Sequence, residues 1–211
     1  MREQNDPVLQ MTPARPGDSN SRASGRTLPV PVGIAGWIDE RSPGIAERWA
    51  SGLLANGESW ARDVRPVARP LCRGLVSFLP GMLSAYRAQI LPLWSEGAEL
   101  FGSVAARRGL SAGEVIEEFQ LLREVILRMM FERPPPRTED GLPLREILHL
   151  NRAVDIGVTQ ASVGHTDLLF FSLIHDSGVP APLDADDLNE VCEQIRTLQA
   201  EGRRIVVPQR G

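Results

Sequence analysis

The stretch RRGLSAGEVIEEFQLLREVILRMMF, residues 107–131, decides the fold. Ser111-Ala112-Gly113-Glu114 has the S-x-x-E form of a capping box, in which the hydroxyl and the carboxylate each satisfy an unbonded N–H at a helix start. From there Val115, Phe119, Leu122, Ile126 and Met129 or Met130 recur every three to four residues, the period of a helix with one buried side. Just upstream, Arg107-Arg108-Gly109 reads as the end of a preceding helix: cations suit its negative end, and Gly109 tolerates the left-handed backbone of a cap. Pro134-Pro135-Pro136 stops the second helix. Two helices meeting at a tight turn are the unit from which the rest is read.

Upstream, Ile34, Trp37 and Ile38 read as a short apolar turn, and Ser42-Pro43 as a hydroxyl N-cap followed by proline at the first helical position. Ile45, Trp49, Leu53 and Leu54 carry the buried side of that helix. A second is expected over about Val64 to Leu79, ended by Pro80-Gly81, and a third resumes at Met82 with a kink or restart at Pro92. Leu93, Trp94, Leu100, Phe101 and Val104 lead into Arg107. Downstream, a loop through Asp140-Gly141 precedes a long helix, about Pro143 to Ile174, with Ile147, Leu148, Val154, Val158, Ala161, His165, Leu168 and Leu169 on one side.

Asp184 caps a last helix whose Leu188, Val191, Ile195 and Leu198 form a short heptad seam. Its apolar edge would otherwise face water, which marks it as a dimer or docking seam. The chain thus divides into a disordered tail (1–31, rich in Pro, Ser, Gly, Asn and Arg), a helical domain (32–176), a linker (177–183) and an amphipathic helix (184–205). The expected fold is all-α: a single bundle of about five or six helices, with globin-like packing among the arrangements open to it.

Composition narrows function by exclusion. A net charge of -4 disfavours non-specific nucleic-acid binding. All 23 basic residues are Arg, so there is no P-loop, Schiff-base or kinase-type lysine. Cys72 and Cys192 lie too far apart in sequence to suggest a zinc site and are too few for a disulfide framework. The longest apolar run, Leu168 to Ile174, falls far short of the roughly 20 residues of a membrane span, and no signal peptide is legible. A cytoplasmic location with no membrane association is expected.

Catalytic patterns are missing as well. His149, His165 and His175 have no second ligand at helical metal spacing, and no G-x-S-x-G elbow occurs. No cofactor is expected. His165, on the apolar side of its helix, reads as a satisfied core or boundary histidine; in the alternative reading it would face a haem or other planar ligand, with Trp94, Phe101 and Phe119 around it. Glu118, Arg123, Asn151 and Asp155 are polar residues beside apolar stripes. The stem of Arg123 should be partly buried, and Asp155 is its expected partner in an interhelical clamp, worth about 3–5 kcal/mol if buried.

The stretches SVAARRGLSAGEVIEEFQLLREVILRMMF (103–131) and LREILHLNRAVDIGVTQAS (144–162) resemble the RsbT co-antagonist protein RsbRD N-terminal domain family. The likeness rests on Arg108-Gly109, Glu118, Leu122-Arg123 and Asn151-Arg152-x-x-Asp155. The resemblance implies an all-α sensor or scaffold domain that tends to dimerise and supplies no catalytic residues. It also implies a partner: a separate kinase, STAS-type or anti-sigma pathway component, because only a linker and one helix follow Ile174. Arg108, Glu118, Arg123, Asn151 and Asp155 are then the candidate signalling clamp. The expected function is a non-enzymatic bacterial signal-transduction regulator; the alternative is a small-molecule sensor enclosing haem or another planar, apolar ligand.

Overall fold

The computed structural model describes residues 33–55, 60, 64–135, 144–175 and 178–206. The expected tail (1–31) and the loop through Asp140-Gly141 lie outside them, as does part of the 177–183 linker, whose residues 178–183 are non-helical. Six helices make one all-α bundle: α1 (Ile34–Ala55), α2 (Arg65–Met82), α3 (Arg87–Arg107), α4 (Ala112–Glu132), α5 (Leu144–His175) and α6 (Ala185–Val206). One continuous apolar core draws on all six. The most extensive pairing is α3 on α5; α1 packs on α2 and α4, and α2 on α3 and α6.

Three expected boundaries move, each because burial outweighs local propensity. α1 does not begin at Ser42-Pro43 but runs through it from Ile34. Trp37 and Ile38 are fully buried, the Trp37 indole N–H donates to the Arg133 carbonyl (2.8 Å), and the Ser42 hydroxyl bonds back to the Ile38 carbonyl (2.9 Å). The helix start is capped from outside its own sequence: the Glu146 carboxylate of α5 accepts from the Ile34 N–H at 2.7 Å, where Gly33 (φ +76°) turns the chain. α2 likewise carries Pro80 and Gly81 inside it to Met82, all three buried, and the break falls at 83–86. α3 therefore begins at Arg87 and continues through Pro92 without restarting, since a proline that early in a helix leaves few carbonyls without a donor.

The decisive turn forms as read. Gly109 has φ +77°; its N–H reaches the Ala106 carbonyl (3.0 Å) and the Leu110 N–H reaches that of Ala105 (3.1 Å), a Schellman closure of α3. Ser111 and Glu114 complete the capping box of α4. The predicted stripe of α4 is buried throughout.

On α5 the expected stripe is partly wrong. Leu148 is exposed, and Leu150, Ala153 and Gly157 are buried with Val154, Ala161 and His165. Small residues set this face: a Cβ on Gly102 of α3 would lie 1.9 Å from the Ala161 carbonyl oxygen, and one on Gly164 would lie 2.2 Å from that of Glu99. The two backbones touch directly, a contact that apolar periodicity does not reveal.

The seam on α6 also needs correcting. Asp184 caps the helix as expected, accepting from the Asp186 and Asp187 N–H groups at 2.9 and 2.8 Å. Val191, Ile195 and Leu198 do not present a free edge, however. They are buried in this chain's own core, where Ile195 fills the notch left by Gly74 of α2 and Gly202 lies against Phe78. Leu188 is half-buried beside them. The apolar stripe was read correctly, and its partner is intramolecular.

Candidate functional site

The α3–α4 turn aims Arg108 inward. Its side chain is 1% exposed, and its guanidinium grips both oxygens of Glu118 on α4, Nη2 to Oε1 at 2.6 Å and Nη1 to Oε2 at 3.0 Å. Trp60 completes the arrangement: its ring lies 3.6 Å from Cζ of Arg108, and its indole N–H donates to Oε1 of Glu118 at 2.9 Å. The Trp49 N–H donates to the backbone carbonyl of the same Glu118 (2.9 Å). A planar guanidinium suits both tasks, forking onto a carboxylate while stacking on an aromatic face. Cys72 is buried; that burial, and next the Glu118 charge, push its thiol well above the usual range.

The same turn is tied to α5. His165, 2% exposed, places Nε2 at 2.7 Å from the Leu110 carbonyl. A carbonyl can only accept, so the proton sits on Nε2, and the buried Nδ1 has no hydrogen-bond partner. His165 is packed as a core histidine, and the alternative in which it faces a planar ligand gains no support from its surroundings. The rings meant to line such a cavity pack on one another: Phe119 stands edge-on to Trp49, Trp94 and Phe101 at 5.6, 6.0 and 5.3 Å, and Trp49 stacks on Phe101 at 5.5 Å. A Cβ on Gly157 would already lie 2.5 Å from Phe119. The described residues contain no group of three or more His, Cys, Asp or Glu placed to hold a metal ion, and no described helix is long and apolar enough to cross a membrane.

Arg123 and Asp155 do pair between α4 and α5, as expected, but at the surface: their side chains are 30% and 62% exposed. The buried lock anticipated there is instead Arg108–Glu118, since Arg123 points along the rim of α4 with only its Nε enclosed and without a partner. An exposed pair is worth about 0–1 kcal/mol. Asn151 is half-buried on α5, one turn before Asp155. Of the five candidate residues, Arg108 and Glu118 form an inner cluster at the turn, Arg123 and Asp155 an outer pair across α4 and α5, and Asn151 joins neither. Between them a groove of about 600 Å³ runs along α4, with Leu53, Leu110 and Leu121 at its base and Glu117, Arg123 and Glu124 among its charged lining.

Sequence reading missed Trp60 and the inward turn of Arg108. The available signal was an isolated Trp among polar residues, in SWARD (59–63). The model of the family described as RsbT co-antagonist protein rsbRD N-terminal domain matches residues 43–169, a span that holds Trp60, Arg108, Glu118, Arg123, Asn151, Asp155 and His165 and stops short of α6. No curated protein and no solved structure matches the chain.

Proposed function

Because the chain belongs to the RsbT co-antagonist protein rsbRD N-terminal domain family, a family of regulatory domains in stress signalling, we propose that it is a non-enzymatic signal-transduction regulator working by protein contact. Its partner is a separate kinase, STAS-type or anti-sigma component, met in the cytoplasm. The observation that carries this reading is the continuity between the clamp and the groove. Glu118 belongs to both, so a protein seated in the groove against α4 bears on the buried Arg108–Glu118–Trp60 cluster and, through Leu110 and His165, on α5.

Charge decides what the groove accepts. Four glutamates (Glu114, Glu117, Glu118, Glu124) and two arginines (Arg123, Arg128) line it, so the fitting partner surface is mixed, with basic character uppermost. The test is binding to a candidate partner from the host's own stress pathway, with Glu117→Arg/Glu124→Arg as the variant. Both glutamates lie outside the buried set of α4, so folding should be unchanged by circular dichroism. Affinity is expected to fall at least about tenfold. Equal binding by the variant would remove the groove from the reading.

A further inference from the structure

We propose that α6 is a releasable cover over an apolar slot between α2 and α3, and that the uncovered slot takes an amphipathic helix from a partner protein. This surface lies on other elements than the groove along α4 and adds to the reading above. The slot is made by missing side chains. A Cβ on Gly74 of α2 would lie 2.1 Å from Cγ1 of Ile195, and one on Gly97 of α3 would lie 3.8 Å from its Cδ1. Two turns on, Gly202 of α6 lets Phe78 and Leu93 close in, at 3.0 and 3.7 Å from its own Cβ position. At the edges, Arg107 at the end of α3 reaches Asp187 at 2.7 Å, and the Gln199 amide donates to the Ser77 hydroxyl at 3.5 Å.

α6 can leave without unmaking another element. Of its 22 residues Val191, Ile195, Leu198 and Gly202 are buried, whereas α2 buries twelve of 18. Its start is capped locally: Asp184 accepts from the Asp186 and Asp187 N–H groups, and the Asp187 carboxylate accepts from the Asp184 N–H at 3.1 Å. Gln194 pairs with Glu190 and Arg196 with Glu193 along its exposed side, and Arg203 and Arg204 suit its last turn. These supports travel with the helix. By contrast, α5 is interlocked with α3 main chain to main chain. Residues 178–183, which lead into α6, include Gly178 (φ +83°), Pro180 and Pro182, and none of the six is buried. The family match ends at residue 169, so the shared bundle is carried by α1–α5. An element with few buried contacts opens well before the whole fold does.

The chemistry of α6 states what the slot accepts. The occupant is an amphipathic helix with a branched apolar side chain for the Gly74 notch and a small residue two turns later beneath Phe78. When α6 leaves, Arg107 loses Asp187 and presents its cation at the end of the slot, which selects a helix with an acidic first turn.

Hydrogen exchange on the whole chain tests the release: the α6 amides should exchange together, at least about 100-fold faster than the slowest of α3 and α5. Exchange of α6 as slow as theirs overturns the proposal and leaves the α4 groove to its own binding assay. The slot also supplies a lock, because the Gly74 Cβ position lies 3.6 Å from Cβ of Ile195, within the spacing of a disulfide. In a Cys72→Ala/Cys192→Ala background, Gly74→Cys/Ile195→Cys should close on oxidation and slow α6 exchange at least about tenfold, reversed by reduction. A pair that does not close overturns the seating of Ile195 on Gly74. Ile195→Asp should free α6 while exchange in α1–α5 stays native. A fluorescent peptide of residues 184–206 with Cys192→Ala should then bind that variant and not the locked chain. Loss of protection throughout α1–α5 would make α6 an integral part of the core and overturn the proposal. So would an intact Ile195→Asp bundle that ignores the peptide, or a locked chain that binds it equally. A peptide with Asp187→Arg should bind about fivefold more weakly, and equal binding would overturn the selection by Arg107.

Discussion

Removing one partner of the Arg108–Glu118 pair should cost far more than removing both. The pair sits under a tryptophan with side chains 1% and 14% exposed, and it makes two charge-assisted hydrogen bonds. Arg108→Met takes the guanidinium from an enclosed carboxylate and leaves the Trp60 N–H on it, and Glu118→Leu takes the carboxylate from a guanidinium stacked on an indole. Breaking a buried pair from one side typically costs about 3–5 kcal/mol. The double variant takes away both members of the pair together. It leaves the Trp60 N–H without Oε1, a penalty of about 1–3 kcal/mol. Simple addition would instead give about 6–10 kcal/mol. Urea unfolding followed by circular dichroism measures all four proteins. If each single variant loses under about 1 kcal/mol, or if the two losses add, the cluster is not a lock and the reasoning fails.

Backbone contact between α3 and α5 makes Gly102→Ala and Gly164→Ala severe, at least about 3 kcal/mol each, whereas Gly113→Ala, on the open first turn of α4, should gain about 0.4–1 kcal/mol; thermal melts rank the three. Asp187 has its carboxyl held below the usual range, first by a hydrogen bond from Arg107 and then by the Asp184 N–H. A depressed folded pKa contributes stability above the unfolded value and loses it as pH falls through the folded one, so amide exchange across the first turns of α6 should quicken below about pH 4. Asp187→Asn should reproduce that loosening at neutral pH, and an unchanged exchange pattern would separate Asp187 from the helix start. Cys72, buried with a raised thiol pKa, should resist a thiol reagent until the chain unfolds; rapid labelling of two thiols per native chain would contradict the placement.

Which parts of this molecule could be read in advance follows from where their causes lie. The α3–α4 turn and the start of α6 are written locally, in Arg107-Arg108-Gly109, Ser111-x-x-Glu114 and Asp184, and they form as expected. The start of α1 is not local, because its cap is Glu146, 112 residues away. Pro43, Pro80 and Pro92 looked like breaks, since propensity cannot see Trp37, Ile38 or Met82 buried behind them. At the site, Arg123–Asp155 was legible as a pair from helix geometry, while its exposure was not. Arg108 was assigned to a helix end for its charge. Its real task depends on Trp60 and Glu118, which no spacing rule connects to it.

The bare-backbone contact between Gly102 and Ala161, repeated by Gly164 on Glu99, has a mechanical consequence. Neither rod can slide or roll by one residue without driving a side chain, Phe101 or Ser103, into the other's main chain. α3 and α5 therefore move as a single beam. A push on the outside of α5 is therefore handed to α3 through main-chain contact, on the helix that ends at Arg107 beside the Arg108 cluster.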